Sequence, residues 1–174
     1  MLKHLRGLAF AACAFAALVA GASSAGAVTF NKFNLFTDDL AKGALNLSTD
    51  TIKALLTNTA PVATNHCYSD ISATELAAGD GYTTGGLTVT GTGVTNASGL
   101  ETMAAAATTW TSNTGNMGPF RYVVYYDAAP LGNGSATCKN LIGFYDNGSS
   151  ITLNGVNADT FTITPAAGSL LTLQ

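Results

Sequence analysis

The sequence predicts an all-β fold, a β-sandwich or jelly roll of about eight strands with one or two short helices, on three observations. Short runs rich in Val, Ile, Thr, Tyr and Phe recur from Tyr82 onward. Gly- and Asn-rich turn signals separate them: Gly85-Gly86, Asn96 to Gly99, Gly115 to Pro119, Gly132-Asn133-Gly134, Asn147-Gly148 and Asn154-Gly155. Helical periodicity is scarce along the whole body of the chain.

Taken in order, Val28 to Phe33 reads as the first strand. Thr37 to Ala44 reads as a short helix capped by Thr37, with Asp38 and Asp39 favourably placed in its first turn. Thr51 to Asn58 is a strand stopped by Pro61. Asp70 to Ala78 reads as a further capped helical turn, ended by Gly79-Asp80-Gly81. Strands then follow at Leu87 to Val94, Met103 to Thr111, Arg121 to Asp127, Leu141 to Asp146, Thr160 to Thr164 and Leu170 to Leu173. Phe161 and Ile163 alternate strictly with Thr160, Thr162 and Thr164, as a strand with one buried face requires. The run Tyr122 to Tyr126 has no polar face and predicts a central strand buried on both sides. The alternation in "LTVTGTGV" predicts an exposed or edge strand.

Residues 1–27 separate from this body as a signal-peptide-like leader or N-terminal arm. Lys3, His4 and Arg6 make a basic start, Leu8 to Ala20 is an apolar run, and Ala25-Gly26-Ala27 is a small-x-small cleavage pattern. The apolar run falls short of the roughly 20 residues of a membrane-spanning helix. Residues 28–174 remain as a single β-sandwich domain, enough chain for a proper core. No internal repeat or linker divides them.

In residues 28–174 five Lys and Arg stand against ten Asp and Glu, a net charge of −5. Phosphate neutralisation needs clustered cations, so nucleic acid is not an expected partner. Few charges among many Thr, Gly, Ala and Asn leave hydroxyls and amides to keep the domain soluble. Such a surface has little grip on charged metabolites and packs readily against other protein.

Two cysteines remain after the leader, Cys67 and Cys138. In an exported chain they are the minimum for one disulfide, whereas in a cytoplasmic chain they are unpaired thiols. Both readings stand at this point.

Candidate chemistry is thin. His66 sits beside Cys67 and near Asp70, but adjacent side chains on an extended chain point to opposite faces, so the pair reads as a surface-loop histidine beside a cysteine. Asp38-Asp39 lacks the further acidic ligands of a calcium loop. Ser135, Ser149 and Ser169 follow glycines without the elbow that presents a nucleophile. Trp110, Tyr122, Tyr125 and Tyr126 read as core rather than a sugar-stacking platform. The sequons at Asn46, Asn96, Asn133 and Asn147 matter only in a glycosylating host. No catalytic residue, metal ligand or cofactor site is expected, and the chain reads as a non-enzyme.

The stretches "FNKFNLFTDDLAKGALNLSTDTIKALLTNTAPVATN", "AAGDGYTTGG", "GNMGPFRYVVYYD", "LIGFYDNGSSITL" and "DTFTITPAAGSLLTL" resemble a family of small virion-associated proteins encoded in tailed phages and prophages. The resemblance runs through nearly all of Phe30 to Leu173. It implies a β-sandwich or jelly roll that decorates or cements a capsid as a homo-oligomer. The implied partners are the major capsid protein or other virion proteins, and the implied location is the virion, in head or tail. It carries over no catalytic residue. The leader departs from this pattern, because virion proteins assemble in the cytoplasm. Either it is retained as an anchoring arm, or the domain has been recruited for export as a secreted or periplasmic binding module for glycans or a cell-surface partner. Interface candidates are the exposed turns carrying Asn96, Ser98, Gly132 and Asn133.

Overall fold

The computed structural model describes residues 29–129 and 138–173. The leader, Val28, Gly132, Asn133 and Ser135 lie outside them.

Strand β1 (Phe30–Lys32) leads directly into helix α1 (Phe36–Ala41), followed by β2 (Ile52–Thr57). After two 3-10 turns, Tyr68–Asp70 and Ser72–Thr74, come β3 (Leu87–Thr88), β4 (Gly93–Ala97), β5 (Leu100–Ala104) and β6 (Thr108–Thr111). The long strands β7 (Met117–Asp127) and β8 (Leu141–Leu153) precede β9 (Thr160–Ile163) and β10 (Ser169–Leu173). They form three antiparallel sheets, ordered β1-β8-β7-β2-β3, β10-β5-β4 and β6-β9. This sandwich-like all-β arrangement is the expected fold class.

The central strands β2 and β7 of the five-stranded sheet are buried on both faces, which explains their lack of polar alternation. Ala54, Leu56, Val123 and Tyr125 face a core shared with Met103, Trp110, Phe161 and Leu171 of the smaller sheets. Their chain neighbours Leu55, Val124 and Tyr126 face the opposite core, closed by Phe33, Ile71 and Leu141. Period-2 geometry sends alternate residues to opposite faces, so a strand between two apolar layers must be apolar throughout. Trp110, Tyr122, Tyr125 and Tyr126 are all buried, so none of these four offers a platform at the surface.

The covering segment on the second face is pinned by Glu75. Its carboxylate accepts from the hydroxyls of Tyr68 at 2.6 Å and Tyr82 at 2.7 Å and from the Gly85 amide at 2.5 Å. Tyr82 Oη in turn accepts from Leu56 N in β2 at 3.1 Å. Burial, and then the Glu75 contact, push both phenols well above their usual range. Tyr126, stacked on Tyr68 at 4.9 Å, donates to Gly85 O at 2.8 Å, and its pKa is pushed up to about 12, chiefly by burial.

Several elements differ from the sequence reading. The helix is not capped by Thr37: Leu35 is the N-cap, with no side-chain hydrogen bond, and Thr37 lies inside the helix. Phe36, wholly buried, places the helix start one residue before Thr37. The expected strand Leu87 to Val94 is two strands in different sheets, because Gly91 turns the chain at φ +64 before it reaches the second layer. Met103 to Thr111 likewise divides into β5 and β6. Between them Ala105 N donates to Gly168 O and Ala106 N to Thr90 O, both outside their own strands.

Asn147-Gly148 is not a turn between strands. It sits inside β8 as an irregularity: from Tyr122↔Asp146 to Phe120↔Ile151, β7 advances two residues while β8 advances five. Gly148 adopts φ +82 there, and Asp146 Oδ1 accepts its amide at 2.7 Å while both Asp146 oxygens hold Arg121. The Arg121 bond, followed by the Gly148 amide, holds the Asp146 carboxyl below its usual range against partial burial.

Candidate functional site

Strands β4 and β5 form a hairpin whose last pair is Ala97↔Leu100, leaving Ser98 and Gly99 as a two-residue loop. Both have positive φ, +54 and +84, as a type I′ turn requires to match strand twist. Of the four interface candidates, Asn96 and Ser98 are placed here and exposed; Gly132 and Asn133 lie outside the described residues. The two described candidates belong to one structural unit. Asn96 Nδ2 donates to Glu101 Oε1 across the hairpin at 2.8 Å, which fixes both side chains.

β4 is the outer strand of its sheet, and four of its five residues are exposed. Among the described residues no strand pairs with its outer edge, which therefore presents backbone N–H and C=O groups. Beside it opens a cavity of about 570 Å³ between the loop after α1 and the β10-β5-β4 sheet. Leu40, Leu45 and Leu47 wall one side; Val94, Met103 and Leu171 wall the other. Glu101 adds a carboxylate and Asn46 and Ser48 add smaller polar groups. Val94, at 37% exposure, belongs both to the edge strand and to the cavity. The arrangement can receive apolar side chains while pairing backbone along the strand. Sequence reasoning missed this cavity, because its walls come from segments as distant as Leu40 and Leu173. The edge character of β4 was the legible part.

A second cluster surrounds the cysteines. Cys67 and Cys138 form a disulfide, with a Cα–Cα distance of 5.8 Å across 71 residues of sequence. Of the two readings left open by composition, the paired one is the state in the structure. His66 is not a bare surface-loop histidine: its side chain is 30% exposed, and Nε2 lies 2.9 Å from the buried Asp39 carboxylate. Asp39 thus has a partner beyond the helix terminus, while Asp38 pairs with Lys42 at 2.6 Å. Nor do His66 and Cys67 diverge as expected of adjacent residues, for a ring nitrogen of His66 and both sulfurs lie within 4.8 Å of one another. Asp70 fixes this bend by accepting from His66 N at 2.8 Å and Cys67 N at 3.0 Å, first Cys67 and then His66 holding its carboxyl below the usual range.

A third cluster is a pair of buried carboxyls, Asp50 and Asp127, hydrogen-bonded to each other. Asp127 is 4% exposed and its Oδ1 accepts from Ala129 N at 2.7 Å; Asp50 Oδ2 accepts from Asn46 N at 2.6 Å. Burial first, then the neighbouring Asp50, raises the Asp127 pKa to about 6, against an unfolded value near 3.9. The folded state therefore holds the proton more tightly than the unfolded chain. Its stabilising contribution is complete below about pH 4 and is lost as pH rises through about 6. Asp127→Asn keeps an acceptor for Ala129 and supplies an N–H for Asp50 without a proton to lose. The variant is expected to match the parent near pH 4 and to melt higher, by about 3 °C, above pH 6. A difference in melting temperature that does not change with pH across that range would refute a proton held by folded Asp127.

The fold and these clusters define a disulfide-linked, sandwich-like all-β domain with an edge strand beside an apolar cavity. No protein-family model, curated protein or solved structure matches the chain.

Proposed function

We propose that this domain is a non-enzymatic virion structural protein of a tailed phage, a capsid decoration or cement protein that binds the shell as an oligomer and stiffens it. The observation that carries the reading is the exposed β4 edge with its adjoining apolar cavity. An edge strand adds a neighbour's strand through backbone bonds, and the cavity accepts that neighbour's apolar side chains. The low charge density supports the same reading, since packing such a surface against a shell desolvates few ions. It is also the function that the sequence's resemblance to phage virion proteins implies. Among the described residues no helix is long and apolar enough to cross a membrane.

The test uses particles assembled without the protein. Purified protein is expected to bind them in a fixed ratio to the shell subunit and to raise their resistance to heat. Val94→Asp, placed at an exposed position and so compatible with the fold, is expected to weaken that binding tenfold or more, about 1.4 kcal/mol. Particles that bind no protein would dismiss the reading, and undiminished binding by the variant would dismiss β4 as the contact.

The disulfide favours a second reading, an exported binding module for glycans or a cell-surface partner. Intact mass decides between them. A full-length chain in particles belongs to the virion protein, whereas a chain beginning at Val28 and found outside the cell belongs to the exported module.

A further inference from the structure

We propose that the cluster of His66, Cys67 and Cys138 is a zinc site when the disulfide is reduced. His66 and the two thiolates would be its ligands, and Asp39 the residue that orients the histidine. The inference goes beyond the structural role above and holds or fails separately from it.

The disulfide is not what holds the two cysteines together. Residues on either side of them are paired through the backbone: Cys67 bridges Asn140, Tyr68 N donates to Lys139 O at 2.9 Å, and Leu141 N donates to His66 O at 2.8 Å. Asp70 pins the His66 and Cys67 amides from the other side. Opening the bond leaves this ladder in place, so two thiols remain side by side next to an imidazole. The ligand atoms already lie within 4.8 Å of one another, and opening the bond frees both sulfurs to turn toward corners of a tetrahedron around zinc.

His66 is prepared for the role. Its Nε2 faces the buried Asp39 carboxylate, at 2.9 and 3.1 Å from the two oxygens; a carboxylate only accepts, so the neutral tautomer that fits this contact has its hydrogen on Nε2 and its lone pair on Nδ1. A carboxylate on the far nitrogen is the usual support of a zinc-bound histidine, fixing its tautomer and raising its basicity. One nitrogen and two sulfurs are a donor set suited to zinc, with a fourth position open to water. The cluster is half-buried, so an ion can reach it from solvent.

The chemistry balances in two steps. A small dithiol gives two electrons and two protons to the Cys67–Cys138 bond and leaves as its own cyclic disulfide, yielding two protein thiols. Zinc then displaces both thiol protons to the medium and binds the two thiolates. In the reverse direction a small-molecule disulfide takes two electrons from the two thiolates and two protons from the medium, becoming two thiols; the Cys67–Cys138 bond re-forms and the ion is released, so occupancy follows the thiol–disulfide poise of the compartment.

The test reduces the full chain with a dithiol, removes the reagent without oxygen and titrates cobalt(II) followed by zinc, with circular dichroism recorded throughout. The expected result is one cobalt per chain with an intense sulfur-to-cobalt charge-transfer band, displaced by zinc, and a melting temperature that zinc raises in the reduced protein but not in the oxidised one. Asp39→Asn is expected to lower the affinity about 10- to 100-fold while leaving the band in place. His66→Ala is expected to lose stoichiometric binding. The proposal is overturned by a reduced protein that gives no such band, by a reduced chain that is unfolded with and without metal, or by a His66→Ala variant that binds as the parent does.

Discussion

Gly86→Ala is expected to destabilise the protein by roughly 4 kcal/mol or more, within the range reserved for specific structural damage. Gly86 has φ +67, and a Cβ there would lie 1.9 Å from Ala54 O and 2.7 Å from Leu55 Cα. Those atoms belong to β2, which is held between β7 and β3, and β2 has no room to retreat because Ala54 and Leu55 face opposite cores. Gly43 supplies the control. Its φ is +69, nearly the same, but a Cβ there meets nothing within 4 Å. Gly43→Ala therefore isolates the left-handed backbone cost of about 1 to 2 kcal/mol. Urea unfolding of both variants measures the difference as a shift in midpoint. Equal losses would show that the loop around Gly86 moves away from β2 at no cost.

The double variant Cys67→Ala, Cys138→Ala is expected to lose about 4 kcal/mol and to melt about 10 °C lower. The bond closes a loop across 71 residues, spanning β3 to β7 and both 3-10 turns. In the chain-entropy account the loss arises in the unfolded ensemble, which becomes free to expand. The folded side changes little, because the ladder between the His66 to Tyr68 and Lys139 to Leu141 segments survives. The denaturant slope is therefore expected to rise along with the fall in midpoint, reporting a more expanded unfolded chain. A fall in midpoint with an unchanged slope would place the effect in the native state instead. These variants also lack the thiolates of the proposed zinc site, so zinc should leave their melting temperature unchanged.

Much of the fold is legible locally. β2, β9 and β10 lie within a residue of their expected ranges, and the unbroken apolar run in Tyr122 to Tyr126 does mark a central strand covered on both faces. Errors arose where local pattern and chain path part company. The alternation of "LTVTGTGV" continues through Gly91 although the chain changes sheets there. Asn147-Gly148 has the composition of a hairpin turn, yet pairing with β7 continues on both sides of it and converts it into an irregularity within one strand. Thr37 has the chemistry of a cap, but the burial of Phe36 sets the helix start.

The candidate sites divide the same way. Ser98-Gly99 is readable as a turn because its backbone requirement is met by two adjacent residues. The cavity beside β4 was not readable, since Leu40, Val94, Met103 and Leu171 converge only after three sheets have assembled. His66 and Asp39, 27 residues apart, carry no mutual signal in the chain.

An all-β class, the positions of most strands, a low-charge, hydroxyl-rich composition and two cysteines in residues 28–174 could all be read along the chain. Those properties depend on side-chain chemistry and on periodicity over a few residues. The assembled fold alone sets which strands pair, that Cys67 meets Cys138, that His66 rests on Asp39, that Asp50 and Asp127 share a buried site, and that β4 is an outer strand among the described residues. The physical reason is that closing a longer loop costs only slightly more entropy than closing a shorter one. Sequence separation therefore selects almost no partner, and the choice falls to burial and hydrogen bonding summed over the whole sandwich.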